Sequence, residues 1–212
     1  MTAMARPVRS SADRVAAEAE QRSRILSALL ECIEEIGYNA TTMQEVAARA
    51  RASKSVIYAH FDNKLDCFLV LYELVTRVEL RVVAAAESRA VSAGLGWQAR
   101  VRAMSLEFLE LLARAPGMTT AVLLELPAAG PSALARRRVT MDLYLDSLSV
   151  IAEDMADSYP DEVRRVDRSW MLAALGGVNE LVLEHIERFG PATVADIVDD
   201  VTRVFVEMLE RR

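Results

Sequence analysis

Residues 41–64, TTMQEVAARARASKSVIYAHFDNK, decide how the chain folds. Thr42 with Glu45, and Thr41 with Gln44, form two overlapping capping boxes, so either threonine can open a short helix. Val46, Ala47 and Ala50 would be its buried side. Arg51-Ala52 forms the connection. Ser53 can cap a second short helix that buries Ile57 and Phe61 at i and i+4, and Asp62 or Asn63 can cap a third. Two helices of about two turns each, joined by about three residues, have helix-turn-helix spacing. In such a unit the second helix enters the DNA major groove with its amino-terminal residues at the base edges. Those residues here are Lys54, Ser55 and Val56. Lysine can donate to guanine, serine can pair with any base, and valine can pack on a thymine methyl.

Charge usage supports that placement. The chain holds 25 Lys and Arg, yet only two are lysines, Lys54 and Lys64, and both lie in this stretch. Lysine is a compact, mobile point charge suited to phosphates and base edges. Lys64 falls in the first turn of the third helix, where an ammonium and free backbone N–H groups can share a phosphate. Thr41 or Thr42 offers the same at the first helix, Tyr58 lies one turn beyond Lys54, and His60 is close to the helix end. The formal net charge is −6, which excludes a uniformly basic nucleic-acid binder. Its distribution is uneven: residues 1–65 carry nine Arg and Lys against eight Asp and Glu, the remainder sixteen against twenty-three. A polyanion would meet the first third.

The rest of the 212 residues are 52% apolar with 8 Gly and 6 Pro, rich in Ala, Leu, Val, Arg and Glu. This composition predicts an all-α protein, and the apolar stripes and breaks along the chain give about nine helices. Residues 1–20, with Arg6, Arg9 and Arg14, are expected as a flexible basic arm. A first helix is expected from about Glu20, with Ile25, Leu26, Leu29, Leu30, Ile33 and Ile36 on one face and Gly37 as its stop. Later helices are expected over about 63–90, 97–114, 118–126, 132–158, 162–189 and from 191 onward. Cys32 and Cys67 form no CxxC pattern and are expected as reduced, buried thiols. His185 has no His or Cys near it in sequence. No nucleophile–base pair, metal-ligand cluster or Gly-rich phosphate loop is present, so no enzyme, metal or cofactor is expected. No apolar run reaches membrane-spanning length and no signal peptide is seen, so a cytoplasmic protein is expected.

With these residues in view, positions 22–70 resemble the DNA-binding domain of the TetR family of bacterial transcriptional regulators. The match rests on Gly-Tyr-x-Ala-Thr-Thr (37–42), Ala-x-x-Ala (47–50), Ser-Lys-x-x-x-Tyr-x-x-Phe (53–61) and Asn63-Lys64. The resemblance implies that Thr41, Thr42, Tyr58, His60 and Lys64 touch phosphates. It also implies that Lys54, Ser55 and Val56 lie against bases, with Gln44 at the edge. Two positions depart from the family pattern. The turn is Ala50-Arg51-Ala52 where Ala-Gly-Val is common, so it either has negative φ or is strained. Val56 stands where Thr is usual.

The resemblance further implies a helix-turn-helix domain at 21–66 and a helical domain at 67–212 that binds a small-molecule effector. It implies a homodimer through the last two helices and a double-stranded operator as partner. The residues add some detail. Met104, Phe108, Met118, Met141, Tyr144, Met155, Trp170 and Met171 could line an adaptable apolar pocket. Asn179 and Glu180 interrupt one apolar run and Glu125 another; they could orient a ligand, or be exposed or bonded across a dimer. Arg136-Arg137-Arg138 could be a solvated face or an anion site. Gly176-Gly177 allows close approach of another helix or leaves room for a ligand. The expected function is a repressor released by a small, largely apolar effector. The alternative is a regulator or activator without one.

Overall fold

The computed structural model describes residues 11–211. Arg6 and Arg9 of the expected arm lie outside the described residues. Nine α-helices and no extended sheet are found among those described. Helix α1 spans Ser11–Ile36, beginning well before Glu20 because Ala16, Ala17, Glu18 and Ala19 are strong helix formers. Gly37, at φ +80°, ends it. The helices α2 (Met43–Arg49) and α3 (Lys54–Tyr58) follow, then α4 (Lys64–Ser92). Ile25, Leu29, Ile33, Val46, Ile57, Phe61 and Phe68 close one core around these four elements. Full burial of each such side chain contributes about 1.5–3 kcal/mol. Ile36, expected on the buried face, is exposed.

Helix α4 continues out of this core into a second one. There it packs on α5 (Trp97–Arg114) and α7 (Pro131–Ser158), with α8 (Arg168–Phe189) and α9 (Val198–Leu209) completing the bundle. Buried Arg100 fastens three of these helices: it donates to Glu87 of α4 at 2.8 Å and to Asp154 of α7 at 3.1 Å. Between α5 and α7 lie α6 (Pro116–Thr120), a π-helical turn (Ala121–Glu125) and a 3-10 turn (Leu126–Ala128). Met118, Ala121 and Leu126 of this segment belong to the amino-terminal core.

Two further expected helix starts move. Residues 162–167 are not helical, because this strand-like piece pairs with the end of α9. Arg164 N–H donates to Leu209 O at 2.8 Å and Arg211 N–H to Glu162 O at 2.7 Å. Helix α8 then begins after Asp167, whose carboxylate accepts from the N–H groups of Ser169 and Trp170. At the carboxy end, Pro191–Ile197 forms a 3-10 turn before α9. Cys32 and Cys67 are buried and free. His185 is buried against Thr193, 3.0 Å between His185 Nε2 and the hydroxyl. Among the described residues no acidic, His and Cys cluster could hold a metal, and no helix is long and apolar enough to cross a membrane.

Candidate DNA-contact face and internal cavity

Helix α3 is set on the core by Ile57 and presents Lys54, Ser55 and Tyr58 to solvent, with Val56 half-buried. Ser53 caps it, its hydroxyl accepting from Val56 N–H at 3.3 Å and lying 2.8 Å from the Ser55 hydroxyl. Exposed Gln44 and Thr42 lie at the start of α2. Thr42 is the cap there: its hydroxyl accepts from Glu45 N–H, and the Glu45 carboxylate accepts from Thr42 N–H at 2.7 Å. The hydrogen bonds that the Thr42 N–H and, at 2.9 Å, the Thr42 hydroxyl donate to the Glu45 carboxylate hold that carboxyl below its usual range. His60 is half-buried, with Nε2 3.0 Å from the Gln21 amide oxygen of α1.

Two residues expected at phosphates are turned inward. The side chain of Thr41 is buried and its hydroxyl donates to Gly37 O at 2.7 Å. The ammonium of Lys64 donates to Tyr38 O at 2.8 Å, Asn39 O at 3.3 Å and Thr41 O at 2.9 Å, and stands over the Tyr38 ring. All three of its donors are thus used to close the α1–α2 turn. The α4 amino terminus is already capped by Asn63, which accepts from Asp66 N–H. Arg51 takes the positive-φ branch of the two left open, at φ +51°, and its charged side chain is exposed beside α3. The sequence reading weighed Arg51 for its backbone alone; its place in the turn was the signal for a further cation on this face.

Inside the carboxy-terminal bundle lies an apolar cavity of about 540 Å³, within the usual range for small-molecule sites of about 300–1,000 Å³. Met104, Phe108, Met118, Met141, Tyr144, Met171 and Asn179 all line it. Trp170 does not: it is exposed on the outside of α8, with Arg164 stacked over its ring at 5.6 Å. Nor does Glu125, which sits in the π-helical turn toward Lys64 and Tyr38 with one carboxyl oxygen buried and unpartnered. Burial raises its pKa and the nearby Lys64 charge works against that.

Several lining residues were not foreseen. Glu79 of α4 is buried and accepts a hydrogen bond from the Tyr144 hydroxyl of α7. Its signal was positional, because Tyr72, Thr76, Glu79, Val83 and Ala86 form one buried stripe at helical spacing. Ser105 of α5 also faces the cavity, its hydroxyl buried without a partner. Ser23, Leu26, Ser27 and Leu30 bring α1 of the amino-terminal domain into the wall.

The molecule is thus a helix-turn-helix protein whose recognition helix stands on a domain that encloses a ligand-sized apolar chamber. Residues 25–71 match the family described as bacterial regulatory proteins, tetR family. The HTH-type transcriptional activator FasR of Mycolicibacterium smegmatis is 41% identical over 54 residues, 26% of this chain and 25% of that protein. The match therefore spans a quarter of that relative's length. Over the whole fold, the fatty acid degradation regulator FadR of Bacillus halodurans superposes with TM-score 0.73 at 16% identity, covering 88% of this chain and 94% of that one. FadR of Bacillus subtilis in complex with stearoyl-CoA gives 0.68 at 16% identity, covering 88% and 98%. The helix-turn-helix segment is thus of the tetR family type, and the fold of the FadR regulators is shared along nearly the full length of the chain.

Proposed function

We propose that the protein is a homodimeric transcriptional repressor that binds a palindromic operator and is released by a small, largely apolar effector held in the cavity. The observation that carries the reading is one continuous helix, α4, which begins beneath the recognition helix and forms a wall of the cavity. Lys54, Ser55 and Val56 supply base contacts, with Gln44 at the edge. Tyr58, His60, Thr42 and exposed Arg51 face the sugar–phosphate backbone. A second copy docks on α8 and α9. This is supported by Trp170 and Leu172, both about half exposed, and by a groove between Trp170, Ala173 and Val204. A side chain at Gly176 would meet nothing within 4 Å in the protomer, which leaves that surface open to a partner helix. Effector binding would favour one of two dimer arrangements, and only one spaces the recognition helices by about 34–36 Å to fit successive major grooves.

FasR is called an activator, and its likeness lies in the DNA-binding segment. That supports activation as the second sense of regulation. The first test is selection of duplexes from a random pool, read at several salt concentrations. A palindromic consensus bound with nanomolar affinity is expected. Weak binding with no consensus and a steep loss in salt would reduce the activity to nonspecific phosphate contact.

A further inference from the structure

One of the few polar points on the apolar cavity wall is a buried carboxylate. Glu79 of α4 lines the cavity and is 7% exposed. One of its oxygens accepts from the Tyr144 hydroxyl of α7, and the other makes no hydrogen bond among the described residues. Burial raises its pKa against the Tyr144 hydrogen bond, and no cation acts on it. Two tyrosines of the wall, Tyr72 and Tyr144, are near enough to feel its charge. The Tyr72 hydroxyl is held in turn by the Thr140 hydroxyl, which donates to it at 2.6 Å. A tyrosine ring attracts a cation over its face.

Three charged residues line the cavity: Glu79, Glu180 of α8 and Arg137 of α7. Glu180 and Arg137 are exposed, so water and salt screen both. The wall thus carries two carboxylates against one guanidinium, and the buried charge is the one without a partner. A carboxylate set in an apolar wall costs free energy until a cation reaches it. A metal ion is not served there, because no cluster of acidic, His or Cys residues is found among the described residues. An organic cation with an apolar body suits both the wall and the carboxylate.

Resting on the effector reading of the cavity, we propose that its ligand is a lipophilic amine. The apolar body fills the chamber, and the ammonium N–H donates to the open oxygen of Glu79 beside Tyr72 and Tyr144. The end group, more than the shape, decides what is held. A neutral alcohol of the same size gains the apolar contacts alone. A carboxylate ligand is disfavoured, because it would bury a second negative charge next to Glu79.

The test is equilibrium binding of phenylhexylamine, phenylhexanol and phenylhexanoate, which share one apolar body, to the full-length protein at about pH 8, where the amine is charged. Folding of each variant is verified by circular dichroism. Wild type should bind the amine at least about tenfold more tightly than the alcohol, and the carboxylate most weakly. Glu79→Gln should weaken the amine about tenfold and hold the alcohol within about threefold, so the alcohol reports that the chamber is intact. Glu180→Gln removes a screened charge and should change amine affinity by less than about threefold. The proposal is overturned if the amine binds no more tightly than the alcohol, if Glu79→Gln leaves the amine unchanged, if Glu180→Gln has the larger effect, or if no probe binds. Operator binding is scored separately. Amine binding as described with no effect on operator affinity would remove the effector reading and keep this one. Release from the operator by phenylhexanoate and not by the amine would do the reverse.

Discussion

Gly117, in the first turn of α6, tests how the two domains are joined. A Cβ placed there would stand 2.6 Å from Ile33 O, 2.9 Å from Glu34 Cα and 3.0 Å from Ile33 C, all backbone atoms of α1. No side-chain rotation relieves such contacts, so Gly117→Ala must part α6 from α1. At the same place the Glu34 carboxylate accepts from Gly117 N–H at 2.9 Å and Met118 N–H at 2.8 Å. Overpacking costs about 1–3 kcal/mol and the helix propensity of alanine returns at most about 1, leaving a net loss of about 1–2 kcal/mol. For a chain of this size that lowers Tm by about 2–8 °C. Glu34→Ala removes the acceptor but leaves the helices in contact, with water able to reach Gly117 N–H, so its cost is about 1 kcal/mol. If alanine at 117 acts by separation, the Glu34 bonds are already stretched, and the double variant should cost less than the two losses added. Thermal unfolding of all four proteins by circular dichroism, at one protein concentration, measures this. A Tm for Gly117→Ala within about 1 °C of wild type, or strictly additive losses, would refute the reasoning.

Lys64→Ala should destabilise the protein by about 1–3 kcal/mol, since three carbonyls lose a charged donor, and leave the salt slope of DNA binding nearly unchanged; an unchanged Tm with a slope smaller by about one would return Lys64 to a phosphate. Lys54→Ala should instead relax specificity at one base position by about 1–3 kcal/mol, read by selection from random duplexes, and an equal loss on all sequences would contradict the base contact. Arg51→Gly should raise Tm, because left-handed backbone at a non-glycine residue costs about 1–2 kcal/mol and the entropy of glycine offsets only about 0.5–1; a fall in Tm would show the turn unstrained. Burial lifts the Glu79 pKa above its unfolded value of 4.5, so the native state binds more protons and wild-type stability falls as pH rises from 4.5 toward the native pKa. Glu79→Gln does not titrate, so its Tm should gain on wild type as pH rises above 4.5; a flat or opposite trend would place Glu79 in contact with water or a cation.

The amino-terminal domain was legible because its signals are local. Thr42, Ser53 and Asn63 act as caps, and Ile57 and Phe61 fall on the buried side at i and i+4. What failed depended on distant partners. Nothing near Lys64 in sequence reveals that the turn after α1 presents three carbonyls to its ammonium. The charged run after Asp161 has helical composition, yet it is held extended by the end of α9, some 45 residues on. The methionines and Tyr144 were found around the cavity because flexible and amphipathic side chains suit a void. Trp170 carries the same chemistry but sits on the outer face of α8, and only the packing of α8 against its neighbours separates the two cases. Glu79 was passed over because a lone carboxylate in a long helix is ordinarily solvated.

The segment from α6 through the π-helical turn bears on how a ligand would be felt at the DNA face. Met118 and Leu126 are buried in the amino-terminal core and also line the cavity, and Leu26 of α1 does both as well. The two cores therefore share a wall, and a ligand would touch the helix-turn-helix domain without a relay between them. The shared wall contains the one stretch among the described residues with a widened hydrogen-bond register: Leu126 N–H reaches back to Ala121 O. Within it, Glu125 holds an unpartnered buried oxygen facing the Lys64 charge. A π turn is a strained insertion that is often kept where function uses it. Reverting it to regular α-helix would rotate Glu125 relative to Lys64, the residue that closes the α1–α2 turn. On the reading proposed above, this is the shortest physical route from a filled cavity to the spacing of α3. It runs through Lys64 as a structural fastener, a role incompatible with Lys64 as a phosphate contact.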